Sequence, residues 1–206
     1  MCKVVVIGAG GHGKVVADVI LSAGMELLGF LDDGRSPGDL VLGYPVLGGL
    51  NDIGQYADQG CRFIIAIGSN STRRAIASAH KVRYCTAIHP SAVIGAGVTI
   101  GEGTVVMAGA VVNPDASVGR HCILNTSCVV EHDNRLADYV HICPKAALAG
   151  TVTVGEATQI GIGSSVSNNI SICAECLLGA GTVAVRDITV PGVYVGAPAR
   201  LLRSRS

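Results

Sequence analysis

Residues 131 to 134 read Glu131-His132-Asp133-Asn134, an acid, an imidazole, another acid and an amide inside a stretch otherwise made of small aliphatic and glycine residues. Imidazole is the side chain whose ordinary pKa lies near neutrality. A carboxylate on its other nitrogen fixes the tautomer and raises its basicity. His132 with Asp133 therefore has the makings of a general base that takes a proton from an attacking amine or hydroxyl. A second constellation lies in the first half. Gly8, Gly10 and Gly13 match G-x-G-x-x-G around His12, and Asp32 and Asp33 follow about twenty residues on, the spacing of a phosphate-binding turn and a ribose-binding acid.

The elements that must position these groups differ between the two halves. Residues 3–7 (KVVVI) predict a buried strand, 8–13 a turn, and the run from Lys14 a helix with Val15, Val16, Val19 and Ile20 on one face and Gly24 at its end. "MELLGFLDD" predicts a second strand and "RFIIAIG" a third, with Ser71 capping the helix that follows. This order implies a small three-stranded parallel sheet, a mini-Rossmann α/β unit over residues 1–86, with ligand loops at the strands' carboxyl ends. Taken alone, the glycine motif points to NAD. Three strands leave no second half for a nicotinamide, so a nucleotide-linked substrate fits better.

From Ile88 to Leu178, sixteen positions spaced by six all hold Val, Ile or Leu. A period of six is neither helical nor simple alternation; it means short strands separated by turns around a common core. Four residues after each aliphatic position stand mostly small or β-branched residues, Ala110, Cys122, Cys128 and Cys176 among them, as a tight internal corner requires. His132 follows Val130 by two and occupies neither inward position, so its ring is expected to leave the core. His141, directly before Ile142, also projects outward, whereas His80, His89 and His121 read as structural or solvated.

Composition narrows the classes. Lys plus Arg equals Asp plus Glu, at 15 each, so no basic field draws nucleic acid. No apolar run is long enough to span a bilayer and none forms a secretory signal, so a cytoplasmic protein without membrane insertion and with reduced thiols is expected. One C-x-x-C, Cys173 to Cys176, lacks a second ligand pair, and a three-histidine metal site does not match the spacings; no metal is expected.

The repeat, with Gly95, Gly101, Gly119, Gly155, Gly161 and Gly179 after the aliphatic residue, resembles the hexapeptide motif of left-handed parallel β-helix acyltransferases. With G-x-G-H-G after the first strand, "FLDD" after the second, "IAIGSN" after the third, "LNTSCVVEHD" and "GVYVGAPAR", nearly the whole chain resembles the bacterial sugar O- and N-acetyltransferases of the NeuD and PglD type. The resemblance implies an all-β left-handed helix over residues 87–206, acetyl-CoA as co-substrate and a homotrimer with the acyl-donor site between neighbours. It implies that Gly10, Gly11, His12, Asp32, Asp33 and Gly68 line the sugar-nucleotide site and that Asn125 lies beside the substrate. His132 would be the base with Asp133 its partner, His141 would touch the thioester, and the backbone at Ile162 and Ala180 the pantetheine arm. The function implied is N-acetylation of a UDP- or GDP-linked 4-amino-dideoxy sugar by direct attack on the thioester. Sialic-acid-type O-acetylation, an NAD-dependent enzyme and a noncatalytic scaffold or nucleotide sensor are the alternatives. Arg200 and Arg203 read equally as partners for coenzyme A phosphates and as a solvated tail.

Overall fold

The computed structural model describes residues 3–204; Cys2 lies outside them. Strands β1 (Lys3–Ile7), β2 (Glu26–Leu31) and β5 (Arg62–Ile65) form the expected parallel centre, with β1 between the other two. The sheet is wider than three strands. β4 (Tyr44–Gly48) adds in parallel to β2, and β3 (Leu40–Val41) pairs antiparallel with β4 across a turn in which Leu42 and Gly43 both have positive φ. That turn type joins hairpins, but it normally carries Asn or Gly at its first position, and Pro45 breaks the strand pattern beside it.

Helix α1 spans Gly11–Ser22, so it begins three residues before the expected Lys14 and takes His12 into its first turn. Gly13 lets this helix start against the β1 turn, because a Cβ there would collide with the Gly8 carbonyl. Gly13, Val16, Ala17, Val19 and Ile20 are buried, while Val15 is exposed one step off that face. Helix α2 (Ile53–Asp58) precedes β5, and α3 (Asn70–Ala79) follows it. The α3 cap is Ser69, not Ser71: its Oγ accepts from the Thr72 N–H at 3.3 Å.

The rest is a left-handed parallel β-helix. Its strands are two residues long, and each residue pairs with the one eighteen later, as Val111 with Val129 and Val129 with Ala147. One coil therefore has three faces, at Ile123–Leu124, Val129–Val130 and Arg135–Leu136, joined by corners at 125–128, 131–134 and 137–140. The second residue of each strand points inward, and Val106, Leu124, Val130, Ile142, Leu148 and Ile160 are completely buried. Ile94 is exposed because its strand is the terminal one of its sheet. The third residue of most corners has positive φ, among them Ser127, Asp133, Tyr139, Lys145 and Thr151, so that conformation belongs to the coil rather than to any one site.

The fourth corner residue points into the core, and where it is polar it satisfies the backbone. Thr158 Oγ1 donates to the Cys173 carbonyl at 2.9 Å and accepts from the Cys176 N–H at 3.1 Å; Thr104 and Ser164 repeat the arrangement. The N-terminal unit lies on the first face, where Cys85, Ala87, Val105, Met107 and Ile123 join the core around α1, and along the third corner.

Thr158→Val keeps the shape but leaves two buried backbone groups without these partners. We expect it to lower stability by about 1–3 kcal/mol, read as a fall of several degrees in Tm, whereas Thr153→Val on the exposed side leaves Tm unchanged.

Candidate active site

His132 projects outward from the second corner, and its Nδ1 lies 2.7 Å from Asp133 Oδ2. Both side chains are more than half exposed, at 58% and 57%. The hydrogen bond to Asp133 raises the imidazole pKa above its ordinary value, with the Asp133 and Glu131 charges adding to the effect. With Nδ1 so engaged, Nε2 is the nitrogen left to take a proton. The ring lies over Gly150 of the next coil, where a Cβ would sit 2.6 Å from Cε1 and Nε2.

A second cluster occupies the carboxyl ends of β1, β2 and β5. The strand order reverses at β1, which opens a crevice there. A cavity of about 180 Å³ is lined by Gly8, Asp32, Asp33, Gly34, Leu50, Ile67 and Thr72, with Ile7, Leu31 and Ile76 at its base. Asp32 is already occupied: Oδ2 accepts from the Ala9 N–H at 2.6 Å and Oδ1 from the Gly34 N–H at 2.8 Å, so it braces the glycine turn. Asp33 is exposed, and its Oδ1 accepts from the Leu50 N–H at 2.8 Å. Gly10 and Gly11 face open space.

Between this crevice and the first face stand three polar side chains. Asn125 Nδ2 donates to His141 Nε2 at 3.1 Å, its Oδ1 being taken by the Thr126 N–H, and the rings of His12 and His141 are 6.5 Å apart. Burial, then Arg73 and His12, pull His141 down to about 3; the Gly68 backbone, outside hydrogen-bonding geometry, opposes this. Burial and Arg73 pull His12 down to about 4. Both rings are thus neutral, and His12 Nε2 and His141 Nδ1 have no protein partner among the described residues. Sequence reasoning passed over Arg73. It is 1% exposed with no carboxylate paired to it among the described residues, and all its donors meet acceptors: the carbonyls of Ile67, Gly68, His121 and Tyr139 and Asn70 Oδ1. It pins the loop after β5 to the third corner.

The predicted residues thus fall into separate groups within one chain. Gly10, Gly11, His12, Gly68, Asn125 and His141 converge, with Asp32 and Asp33 at the adjoining cavity. Ile162 and Ala180 are exposed higher on the first corner, eighteen apart and joined through the bond from Gly181 N–H to the Ile162 carbonyl. His132 and Asp133 stand on the second corner, the edge opposite the first face and therefore opposite the N-terminal unit.

Comparison with known proteins places the chain. A family profile described as the PglD N-terminal domain matches residues 3–79. PerB from Caulobacter crescentus, whose crystal structure holds CoA and GDP-perosamine, is 39% identical over 98% of each chain, with a TM-score of 0.91. The chain belongs to the PglD-like hexapeptide-repeat family of bacterial sugar acetyltransferases. The acetyltransferase domain of PglB from Neisseria gonorrhoeae, in complex with acetyl coenzyme A, is 37% identical over 97% of this chain and 98% of that one, with a TM-score of 0.91. UDP-3-O-acylglucosamine N-acyltransferase from Bordetella avium is 28% identical over 79 residues, 38% of this chain and 22% of that protein. The chain spans only 20–27% of the length of the curated relatives it matches.

The remaining family-independent features are structural. His121 is buried between Tyr84, edge-on at 4.5 Å, and Tyr139, stacked at 5.4 Å. His89 Nδ1 accepts from the Ser91 N–H at 3.0 Å. Cys173 and Cys176 bring their Sγ atoms to 3.4 Å, Cys176 at an inward corner position. Arg200 and Arg203 are exposed in the closing antiparallel pair of Gly192–Val195 with Arg200–Ser204. No helix among the described residues is long and apolar enough to cross a membrane.

A histidine base acts only when neutral, so on the reading of His132 as the expected base its raised pKa would set the acid side of the rate profile. In Asp133→Asn the charge and the charge-assisted bond are lost, and the acid limb of kcat/KM should move to lower pH while the plateau falls. A titration of rate between pH 5 and 8 checks this; an unmoved limb would assign the partner's role elsewhere.

Proposed function

We propose that this protein transfers the acetyl group of acetyl-CoA to the amine of a nucleotide-linked 4-amino-dideoxy sugar, with His132 as general base oriented by Asp133. The observation that carries the reading is the outward His132–Asp133 pair on a β-helix whose chain also bears a nucleotide-type crevice. The sugar's neutral amine attacks the thioester carbonyl, and His132 Nε2 takes a proton as the C–N bond forms. The C–S bond then breaks, and the coenzyme A thiolate leaves with that proton. The neutral Asn125–His141 pair offers hydrogen-bonding dipoles rather than charge beside the reacting groups. An amine acceptor is favoured over a hydroxyl by the N-acetyltransferases among the relatives; PerB, crystallised with GDP-perosamine, favours a nucleotide-linked one.

The site is read as shared between copies in a homotrimer. Within one chain the base stands on the edge opposite the crevice that would hold the sugar nucleotide. Side-by-side prisms would set the second corner of one copy against the first corner of the next, beside Asn125, Ile162 and Ala180. Coenzyme A would run along that first corner, and the nucleotide would fill the crevice at Gly10, Gly11, His12, Asp33 and Gly68.

Acetyl-CoA turnover against a panel of UDP- and GDP-linked amino sugars, with the corresponding 4-hydroxy sugars and free sialic acid as controls, tests the assignment. Thiol release should require the nucleotide-linked amine, and His132→Ala should retain its fold while losing about 10²–10⁴ in rate. Turnover on a hydroxyl acceptor alone, or an active His132→Ala, would refute it.

A further inference from the structure

The corner that carries His132 is closed by a side chain, whereas other corners close through the backbone or, as at 137–140 and 149–152, lack that backbone bond. At 125–128, 143–146, 155–158 and 161–164 the backbone N–H of the fourth residue donates to the carbonyl of the first. At 131–134 the Glu131 carbonyl accepts instead from the side-chain amide of Asn134, at 2.6 Å. Asn134 is completely buried at an inward corner position. Its Nδ2 also donates to the Ala149 carbonyl at 3.0 Å, and its Oδ1 accepts from the Val152 N–H at 3.1 Å. Those last two bonds are the ones Thr158 makes with a hydroxyl. The bond to Glu131 is the one a hydroxyl at this position would leave unmade.

A carboxamide is costlier to bury than the Ala, Cys or Thr of other corners, and it is retained only if its bonds are made. The rest of the turn is fixed from outside. The Asp133 N–H donates to the Pro114 carbonyl one coil before, and the Thr151 N–H donates to the His132 carbonyl one coil after. The Glu131 N–H donates to the Leu148 carbonyl and the Asn134 carbonyl accepts from the Ser117 N–H, while the Glu131 carbonyl is held from within the core by the Asn134 side chain.

We propose that Asn134 is a positioning residue: its carboxamide sets the turn that presents His132 and Asp133 outward in their bonded geometry. The inference rests on the reading of His132 as the base.

Asn134→Thr is the test, because threonine already occupies this core position at 104 and 158. Its hydroxyl can serve the Ala149 carbonyl and the Val152 N–H, and its backbone N–H is left to close the turn as at 155–158. We expect an unchanged Tm, KM values for both substrates within about twofold, and kcat lower by about ten- to a hundredfold, the scale of a small misplacement of a catalytic group. Ring-proton NMR should find the His132 titration moved toward the ordinary imidazole value. Asn134→Ser, which copies the corner at Ser164, carries the same test if threonine does not fold. Unchanged kcat and an unchanged His132 titration in a folded variant would overturn the proposal, as would a loss of kcat that merely tracks a fall in Tm. His132→Ala in the same assay separates the two readings. If it stays active the base assignment fails, whereas the NMR shift in Asn134→Thr still reports on positioning.

Discussion

The pairing of each β-helix residue with the one eighteen later decides where everything else can go. That register stacks like on like, so a position once outward stays on one edge of the prism over the coils that follow. It assigns Asn125, Ile162 and Ala180 to the first corner, His132 to the second and the anchor points of the N-terminal unit to the first face and third corner. No side-chain rotation moves a group from one edge to another. A chemistry that needs both the proposed base and the proposed nucleotide crevice would therefore call on another copy of the chain; this constraint supports the proposed sharing of the site, and family likeness alone supplies the number three.

Electrostatics divides along the same geometry. On the exposed edge, Asp133 raises the basicity of His132. Under the N-terminal unit, burial and Arg73 hold His12 and His141 neutral. Arg73 keeps its charge in the interior because carbonyl oxygens and one amide oxygen take all its hydrogens, which offsets much of the cost of removing it from water. The guanidinium thus does two things at once: it fastens the loop after β5 to the β-helix, and it disfavours a second cation beside the crevice.

Much of this is legible in the sequence because the coil repeats. An aliphatic residue at every sixth position gives the strands, and the offset of His132 from Val130 gives its outward direction. Elsewhere local signals mislead or fall silent. Ser71 and Ser69 are equally good caps by type, and only the helix start decides between them. The β3–β4 hairpin hides behind Leu42 at positive φ and Pro45 in a strand. Arg73 reads as a solvated helix residue, since nothing local says that the carbonyls of His121 and Tyr139, two distant corners, will close over it. Asn134 is an exception to the pattern of small and β-branched corner residues, yet its three bonds make it the most completely partnered of the polar ones. The period also carries no information about which face the first eighty residues cover.

The claim that the site is shared between copies is open to direct measurement by subunit mixing. His132→Ala removes the proposed base, and Gly10→Trp places a bulky ring in the proposed nucleotide site, where a Cβ at Gly10 meets nothing within 4 Å and so can be accommodated by the fold. Each variant alone should be inactive. In a co-refolded equal mixture, every mixed trimer regains one intact site from the His132 of one copy and the crevice of its neighbour, which restores about a quarter of the wild-type rate. A folded, mixed trimer with no activity would contradict the account, because a site confined to one chain can never be repaired by its neighbour.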